Sequence, residues 1–319
     1  MAKKGTILLS VTGFDPAIWQ SELEKAAPDR RVIQQPDGPD DPEIEYAVVW
    51  KQRPGVLNSL PNLKAIFSIG AGVDHIFAEG GLPDVPIVRV VADDLTERMS
   101  EYSVWQVLDH HRKGPLYRQQ QAQRIWHEDL MQPSAREVTV GILGYGNLGR
   151  DAAIKLKMLG FRVTGWSRTA KQDPDVETYA GDAGLPAFLE QADIVVCLLP
   201  LTATTRGILS TPFFDMMKKR GPLGAPILIN AGRGGLQKEA DILAALEDRK
   251  LGAVSLDVFE TEPATKNDLF HLPNVVCTPH LGASTSEAQE NVALHIAEQM
   301  SDYLLKGAVT NAINMPSIS

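Results

Sequence analysis

Cysteine is almost missing from this chain, with two residues in 319. That scarcity excludes a disulfide framework, and neither residue has the neighbours of a metal site. Cys197 lies in the apolar run Ile194–Leu199 and Cys277 in Val275–Thr278, so both are expected as small core residues, and no metal is expected. Also missing is any run of the roughly 18 apolar residues that a membrane span needs. The apolar stretch Ile7–Val11 is too short for a signal peptide and ends at Gly13-Phe-Asp-Pro16 as a strand ends at a turn. A first β-strand and a cytoplasmic address are the expectation. Basic residues are outnumbered, 31 Lys and Arg against 40 Asp and Glu, for a net charge of −9. An acidic surface attracts neither nucleic acid nor an anionic membrane, so neither is expected as a partner. Repeats, low-complexity tracts and long linkers are absent as well.

What is present is ordinary in amount, and 319 residues suffice for two domains with full cores. Short β-type runs alternate with helical patterns throughout, the mark of parallel sheets covered on both faces. In the first part the strands are expected at Thr6–Val11, Arg31–Ile33, Tyr46–Trp50, Ala65–Ile69 and Ile87–Val90, with a helix over Pro16–Ala26. A long helix, about Glu97–Arg112, crosses into a second domain. That domain carries strands at Val138–Leu143, Phe161–Trp166, Ile194–Leu199, Pro226–Asn230, Gly252–Asp257 and Val275–Cys277, with a helix at Lys238–Asp248. The last helix opens on the capping-box pattern Ser284-Thr-Ser-Glu287 and runs to about Lys306. Following a complete six-strand unit, it is expected to return and cover the first domain. The expected domains are therefore 1–96 with 286–319, and 97–285.

Between the strand Val138–Leu143 and the helical pattern Arg150–Leu159 lies Gly144-Tyr145-Gly146-Asn147-Leu148-Gly149. Gly144 permits a tight turn, Gly146 lets a pyrophosphate approach the backbone, and Gly149 lets helix and strand pack closely. The phosphate charge then meets the N–H groups of a helix N-terminus. An NAD site usually follows with Asp or Glu at the end of the next strand, to accept from the ribose 2′-hydroxyl. Here that strand ends Trp166-Ser167-Arg168, with Lys171 close behind and no carboxylate before Asp173. Ser167 and Arg168 can donate to a 2′-phosphate, so NADPH is expected over NADH, with NAD possible at lower preference. A basic surface turn without a ligand is the competing reading.

Three further segments place polar groups just after strands. In Ile229-Asn-Ala-Gly-Arg233-Gly-Gly235, one Arg is left on a glycine-freed loop, where its planar fork matches a carboxylate or keto-acid oxygen pair. An Arg that merely bridges loops fits this segment equally well. The others are Asp257-Val-Phe-Glu-Thr-Glu-Pro263 and Thr278-Pro-His-Leu-Gly282. Carbonyl reduction needs a hydride, an acid near the carbonyl oxygen and a cation to align the substrate. His280 suits the acid, Arg233 the cation, and Glu262 or Glu260 the carboxylate that holds the imidazolium.

Together with Gly70-Ala-Gly-Val-Asp74, these motifs stand in the order found in the D-2-hydroxyacid dehydrogenases, and the resemblance covers nearly the whole chain. Val49-Trp50, Glu101-Tyr102 and Trp166-Ser-Arg168 make it most similar to the NADPH-preferring glyoxylate/hydroxypyruvate reductases of the A type. The resemblance implies a Rossmann cofactor domain inserted in a flavodoxin-like substrate domain, both doubly wound α/β. It implies Arg233, Glu262 and His280 as the catalytic set, which selects Glu262 over Glu260. The backbone N–H groups of Ala71 and Gly72 would hold the substrate carboxylate, and Trp50 would border the pocket, unless it is simply a core residue ending a strand. Asp257 would orient the nicotinamide carboxamide, and Leu199, Pro200 and Thr205 would line the cofactor, with Asn230, Ala231 and Gly282 beside them. A homodimer is implied. Against an enzyme stands an NAD(P)H-sensing binding protein, since the family includes corepressors of this fold. Within the class, a larger acid such as phenylpyruvate would need a roomier pocket, and phosphoglycerate a further basic residue near Gly70–Asp74.

Overall fold

The computed structural model describes residues 5–13, 15–38, 40–70, 72–77, 80–90, 93–282, 286–307 and 312–313. The chain divides into two compact units, Met1–Leu95 with Ser284–Ser319, and Thr96–Ala283.

In the first unit the elements are β1 (Thr6–Val11), α1 (Ala17–Ala26), β2 (Val32–Ile33), β3 (Ile44–Trp50), β4 (Ala65–Ser68), α2 (Asp74–Phe77) and β5 (Ile87–Arg89). The strands pair in parallel in the order β2-β1-β3-β4-β5. Successive side chains of a strand point to opposite faces, and here both faces are covered. Leu9, Tyr46, Val48 and Phe67 pack on one side with Trp19 and Leu23 of α1, and with Val292, Ile296 and Met300 of the last helix, Ser286–Lys306. Leu8, Ala47, Val49 and Ile66 face the other way, against Leu57, Leu60 and Ile76. The capping pattern proposed at Ser284–Glu287 falls outside the described residues at Ser284 and Thr285.

The second unit opens with α3 (Asp93–His111), most of which belongs to it, and α4 (Gly114–Gln123). Next come β6 (Thr139–Leu143), α5 (Asn147–Met158), β7 (Arg162–Ser167), β8 (Glu177–Ala180) and α6 (Gly181–Gln191). They are followed by β9 (Ile194–Cys197), α7 (Thr211–Met216), β10 (Ile227–Asn230), α8 (Glu239–Glu247), β11 (Ala253–Leu256) and β12 (Val275–Cys277); Ser286–Lys306 is α9. All seven strands run parallel, in the order β12-β11-β10-β9-β6-β7-β8. The order reverses between β6 and β9, and such a switch point leaves a crevice beyond the carboxyl ends of the strands. α6 lies tight on β6, because a Cβ at Gly141 would come within 2.8 Å of Phe188 and of Ala192.

Four details differ from the sequence expectation. The sheet has a seventh strand, β8, whose residues Glu-Thr-Tyr-Ala are exposed or half-buried on an edge and so carry no apolar run. α3 begins at Asp93, ahead of the expected start near Glu97, because acidic residues such as Asp93 and Asp94 favour a helix N-terminus. α4 was not anticipated, for it buries no residue and offers no apolar periodicity. Cys197 is fully buried, its thiol pushed up to about 12 by burial, but Cys277 on the edge strand β12 is only half-buried.

Candidate active site

In a parallel sheet every carboxyl end lies on one edge. Gly144 follows β6, Arg168 follows β7, Leu199 follows β9, Arg233 follows β10, Asp257 follows β11 and His280 follows β12. One edge of the second unit thus collects the polar residues that the sequence singles out.

The glycine loop is built by close approach. Gly144 has φ +111°, and a Cβ there would sit 2.8 Å from the carbonyl carbon of Leu198. At Gly149 a Cβ would meet the Gly144 oxygen at 2.4 Å, so only glycine lets α5 start this near its strand. Gly146 differs, having no atom within 4 Å of the Cβ position; it faces open space and is the N-cap of α5. No side chain caps that helix, and its first turn has no acidic residue. Its first N–H groups, which lack intrahelical acceptors, are left for an anion. Leu148 packs with Met99, Tyr102 and Ala231. These features fit a dinucleotide pyrophosphate.

At the end of β7, Arg168 is exposed and the Ser167 hydroxyl donates to the Thr169 carbonyl at 2.8 Å. The Trp166 ring is buried in the core and its indole N–H donates to the Gly181 carbonyl at 3.0 Å, so that side chain is committed to packing. The first carboxylate downstream, Asp173, is also committed. It accepts from the Tyr145 hydroxyl at 2.9 Å, from Arg150 Nε at 3.0 Å and from the Asp175 N–H at 3.0 Å. The Asp175 N–H first, then Tyr145 and Arg150, hold its pKa down at about 2. Sequence alone gave no sign of this clamp. Past β9, Thr205 Oγ1 donates to the Pro200 carbonyl at 2.7 Å, closing the turn that follows Leu199.

Nδ1 of His280 lies 3.0 Å from Oε2 of Glu262, while Glu262 Oε1 accepts from the Phe259 N–H at 3.3 Å. The Glu260 N–H donates to Glu239 at 2.7 Å, and burial together with the Glu239 charge raises the Glu260 carboxyl pKa. His280 has φ +55°, a left-handed conformation unusual for a residue with a side chain. Its loop is held by Asp257, which accepts from Thr278 Oγ1 at 2.7 Å, Leu281 N–H at 2.8 Å and Gly282 N–H at 2.8 Å. Tyr102 Oη lies 2.8 Å from Thr278 Oγ1, extending the chain of contacts to α3. Nη1 of Arg233 donates to the Gly232 carbonyl at 2.7 Å. The Arg233 loop touches the Glu262 loop, since a Cβ at Gly234 would meet the Phe259 oxygen at 1.7 Å. Asn230 and Ala231 are buried beneath it.

In the first unit, Trp50 ends β3 and is half-buried, its ring so close to Gly70 that a Cβ there would lie 2.1 Å from it. The His75 ring packs edge-on to Trp50 at 5.0 Å. Ser68 Oγ is 3.0 Å from the Gly70 oxygen and 3.2 Å from that of Gly72, pinning the loop after β4. Ala71, the other proposed carboxylate holder, lies outside the described residues. Among the described residues no group of His, Cys, Asp and Glu could hold a metal, and no helix is long and apolar enough to cross a membrane.

A cofactor edge of this order, on a seven-stranded parallel sheet, defines a class. The chain belongs to the D-isomer specific 2-hydroxyacid dehydrogenases, whose NAD-binding-domain model matches residues 104–282. Among its relatives, glyoxylate/hydroxypyruvate reductase A of Salmonella paratyphi B is 37% identical over 94% of this chain and 96% of its own length. The NADPH-dependent glyoxylate/hydroxypyruvate reductase of Sinorhizobium meliloti, solved with NADP and sulfate, is 44% identical with a TM-score of 0.88, over 97% of this chain and 98% of that one. A probable 2-hydroxyacid dehydrogenase from Rhizobium etli, solved with NADP, HEPES and tartaric acid, is 43% identical with a TM-score of 0.87 over the same shares.

Proposed function

We propose that this chain reduces short 2-oxo acids, glyoxylate and hydroxypyruvate, to 2-hydroxy acids with NADPH. The observation that carries the reading is the 3.0 Å contact between His280 Nδ1 and Glu262 Oε2, in a chain of this family. Glu262 accepts from Nδ1–H and fixes the ring, leaving Nε2 to give its proton to the carbonyl oxygen. Arg233 grips the carboxylate and polarises the carbonyl, with the N–H groups of Ala71 and Gly72 as further donors to the carboxylate and Trp50 as a limit on the substrate's size. Bound NADPH supplies the hydride. The loop Gly144–Gly149 takes its pyrophosphate, Arg168 its 2′-phosphate, joined by Ser167 once its hydroxyl turns from the Thr169 carbonyl, and Leu199, Pro200, Thr205, Asn230, Ala231 and Gly282 surround it. Trp166 contributes through packing at the end of its strand. Asp257 is left one lone-pair direction for the carboxamide, three of roughly four being filled. NAD serves with lower preference.

The reading extends to a homodimer in the cytoplasm. The dimer is supported by three strongly exposed apolar side chains close in sequence beyond α4, Trp126, Leu130 and Met131, which water would otherwise wet. Sedimentation of the wild type beside Trp126→Ser checks the assembly. A screen of glyoxylate, hydroxypyruvate, phenylpyruvate and phosphoglycerate against both reduced nicotinamides tests the activity. Turnover is expected with the first two and NADPH; no loss of reduced nicotinamide with any of the four overturns it.

A further inference from the structure

Gln237 is 1% exposed and Asn230 is fully buried, and the two amides form one directional chain. Asn230 Oδ1 accepts from the Gly232 N–H at 3.1 Å, while its Nδ2 donates to the Arg233 carbonyl at 3.2 Å and to Gln237 Oε1 at 2.8 Å. Gln237 Nε2 then donates to the Val258 carbonyl at 3.0 Å and to Glu239 Oε1 at 3.3 Å. Glu239 continues the chain, accepting from the Glu260 N–H at 2.7 Å and from Asn267 Nδ2 at 2.6 Å. Every donor hydrogen of both amides has an acceptor, so turning either amide over would break the set. One end of this chain grips the backbone of the Arg233 loop, and the other grips the segment from Val258 to Asn267 that carries Glu262. The backbone of Gly234 also packs closely on that of Phe259, so the two loops abut directly.

We infer that Gln237 is a positioning residue for the reduction: it sets Arg233 and the Glu262–His280 pair in register, without touching substrate or cofactor. The inference rests on the proposed reductase reading for its kinetic consequences, but not for its structural ones. A fork that must meet two oxygens and a carboxylate that must meet one imidazole nitrogen tolerate displacements of only a few tenths of an ångström. A purely structural glutamine would cost stability when removed and leave each folded molecule working normally. A positioning glutamine changes how the folded molecules work.

The test uses the full chain with Gln237→Met, which keeps the volume and removes the hydrogen bonds, and Gln237→Ser, which admits water if Met is not tolerated. Two readouts are taken on the folded fraction. With glyoxylate and NADPH, KM for the acid is expected to rise about tenfold, the size of one lost buried hydrogen bond, with kcat reduced as well and the NADPH dissociation constant within twofold of wild type. Without any turnover, nitrogen NMR of the neutral His280 ring reads its tautomer. The wild type is expected to carry its proton on Nδ1, facing Glu262, and the variants to shift toward Nε2–H. Folded variants with wild-type KM and wild-type tautomer overturn the inference. A wild-type chain that turns over no 2-oxo acid overturns the reductase reading instead, while the tautomer comparison still decides the role of Gln237.

Discussion

His280 and Glu262 leave different strands, β12 and β11, yet their Nδ1 and Oε2 atoms meet at 3.0 Å. His280 adopts φ +55° on a loop tied to the Asp257 carboxylate by three hydrogen bonds and, through its own N–H, to the Asp257 carbonyl at 2.8 Å. Geometry of this kind matters to a proton donor more than the strength of the contact, since both side chains are partly open to water and an ion pair so exposed contributes little to stability. Glu262→Gln presents an amide in place of the carboxylate and loses control of the tautomer. It is expected to lower kcat by about 10² to 10⁴, as is His280→Ala, with NADPH binding unchanged in both. Pre-steady-state kinetics beside a binding titration checks this; either variant at full rate removes its residue from the mechanism.

Arg168→Ala addresses the cofactor end. One charge-assisted contact to a 2′-phosphate is worth on the order of ten- to a hundredfold. The ratio of kcat/KM for NADPH over NADH is expected to fall by that factor, and an unchanged ratio refutes the assignment. Asp173 does not compensate, because its oxygens are engaged by Tyr145, Arg150 and the Asp175 N–H.

Arg233→Ala removes alignment and polarisation at once. A loss of about 10² to 10³ in kcat/KM is expected, the usual size for one electrostatic contact to developing charge. Arg233→Lys keeps the charge but not the planar fork and is expected to fall between the two. Equal activity in all three proteins contradicts the role.

Asp173 also ties stability to pH. Its folded pKa, about 2, is depressed from an ordinary value of 3.8. A depressed carboxyl stabilises the fold above its ordinary value, and the benefit is lost as pH falls through the range between the two. Denaturant titrations at pH 2 to 5 are expected to show a shallower acid loss for Asp173→Asn than for wild type. Parallel curves contradict the clamp.

Much of the fold was legible because its determinants are local. Apolar runs such as Ile194–Cys197 with glycine or proline at their ends announce buried parallel strands, and the strand-end motifs announce which edge carries the chemistry. β8 and α4 stayed hidden because neither has an apolar pattern, and what keeps β8 extended is its pairing with β7. In the candidate site, the residue types at strand ends were readable, but partnerships were not. That Trp166 turns its ring into the core, that Asp173 clamps Tyr145, and that Gln237 spans two loops all depend on backbone positions far apart in sequence. The choice between Glu260 and Glu262 could not be made from spacing near Pro263; it came from the family resemblance, and in the structure only Glu262 meets the imidazole.

The central claim, hydride transfer to a short 2-oxo acid with His280 as proton donor, is tested most directly by a single turnover. Enzyme with one equivalent of NADPH is mixed with hydroxypyruvate, and the nicotinamide absorbance and the configuration of the glycerate are both followed. One D-glycerate for each NADPH consumed, with the rate collapsing in His280→Ala, is the predicted result. Persistence of NADPH in the wild type, or formation of L-glycerate, would contradict the account.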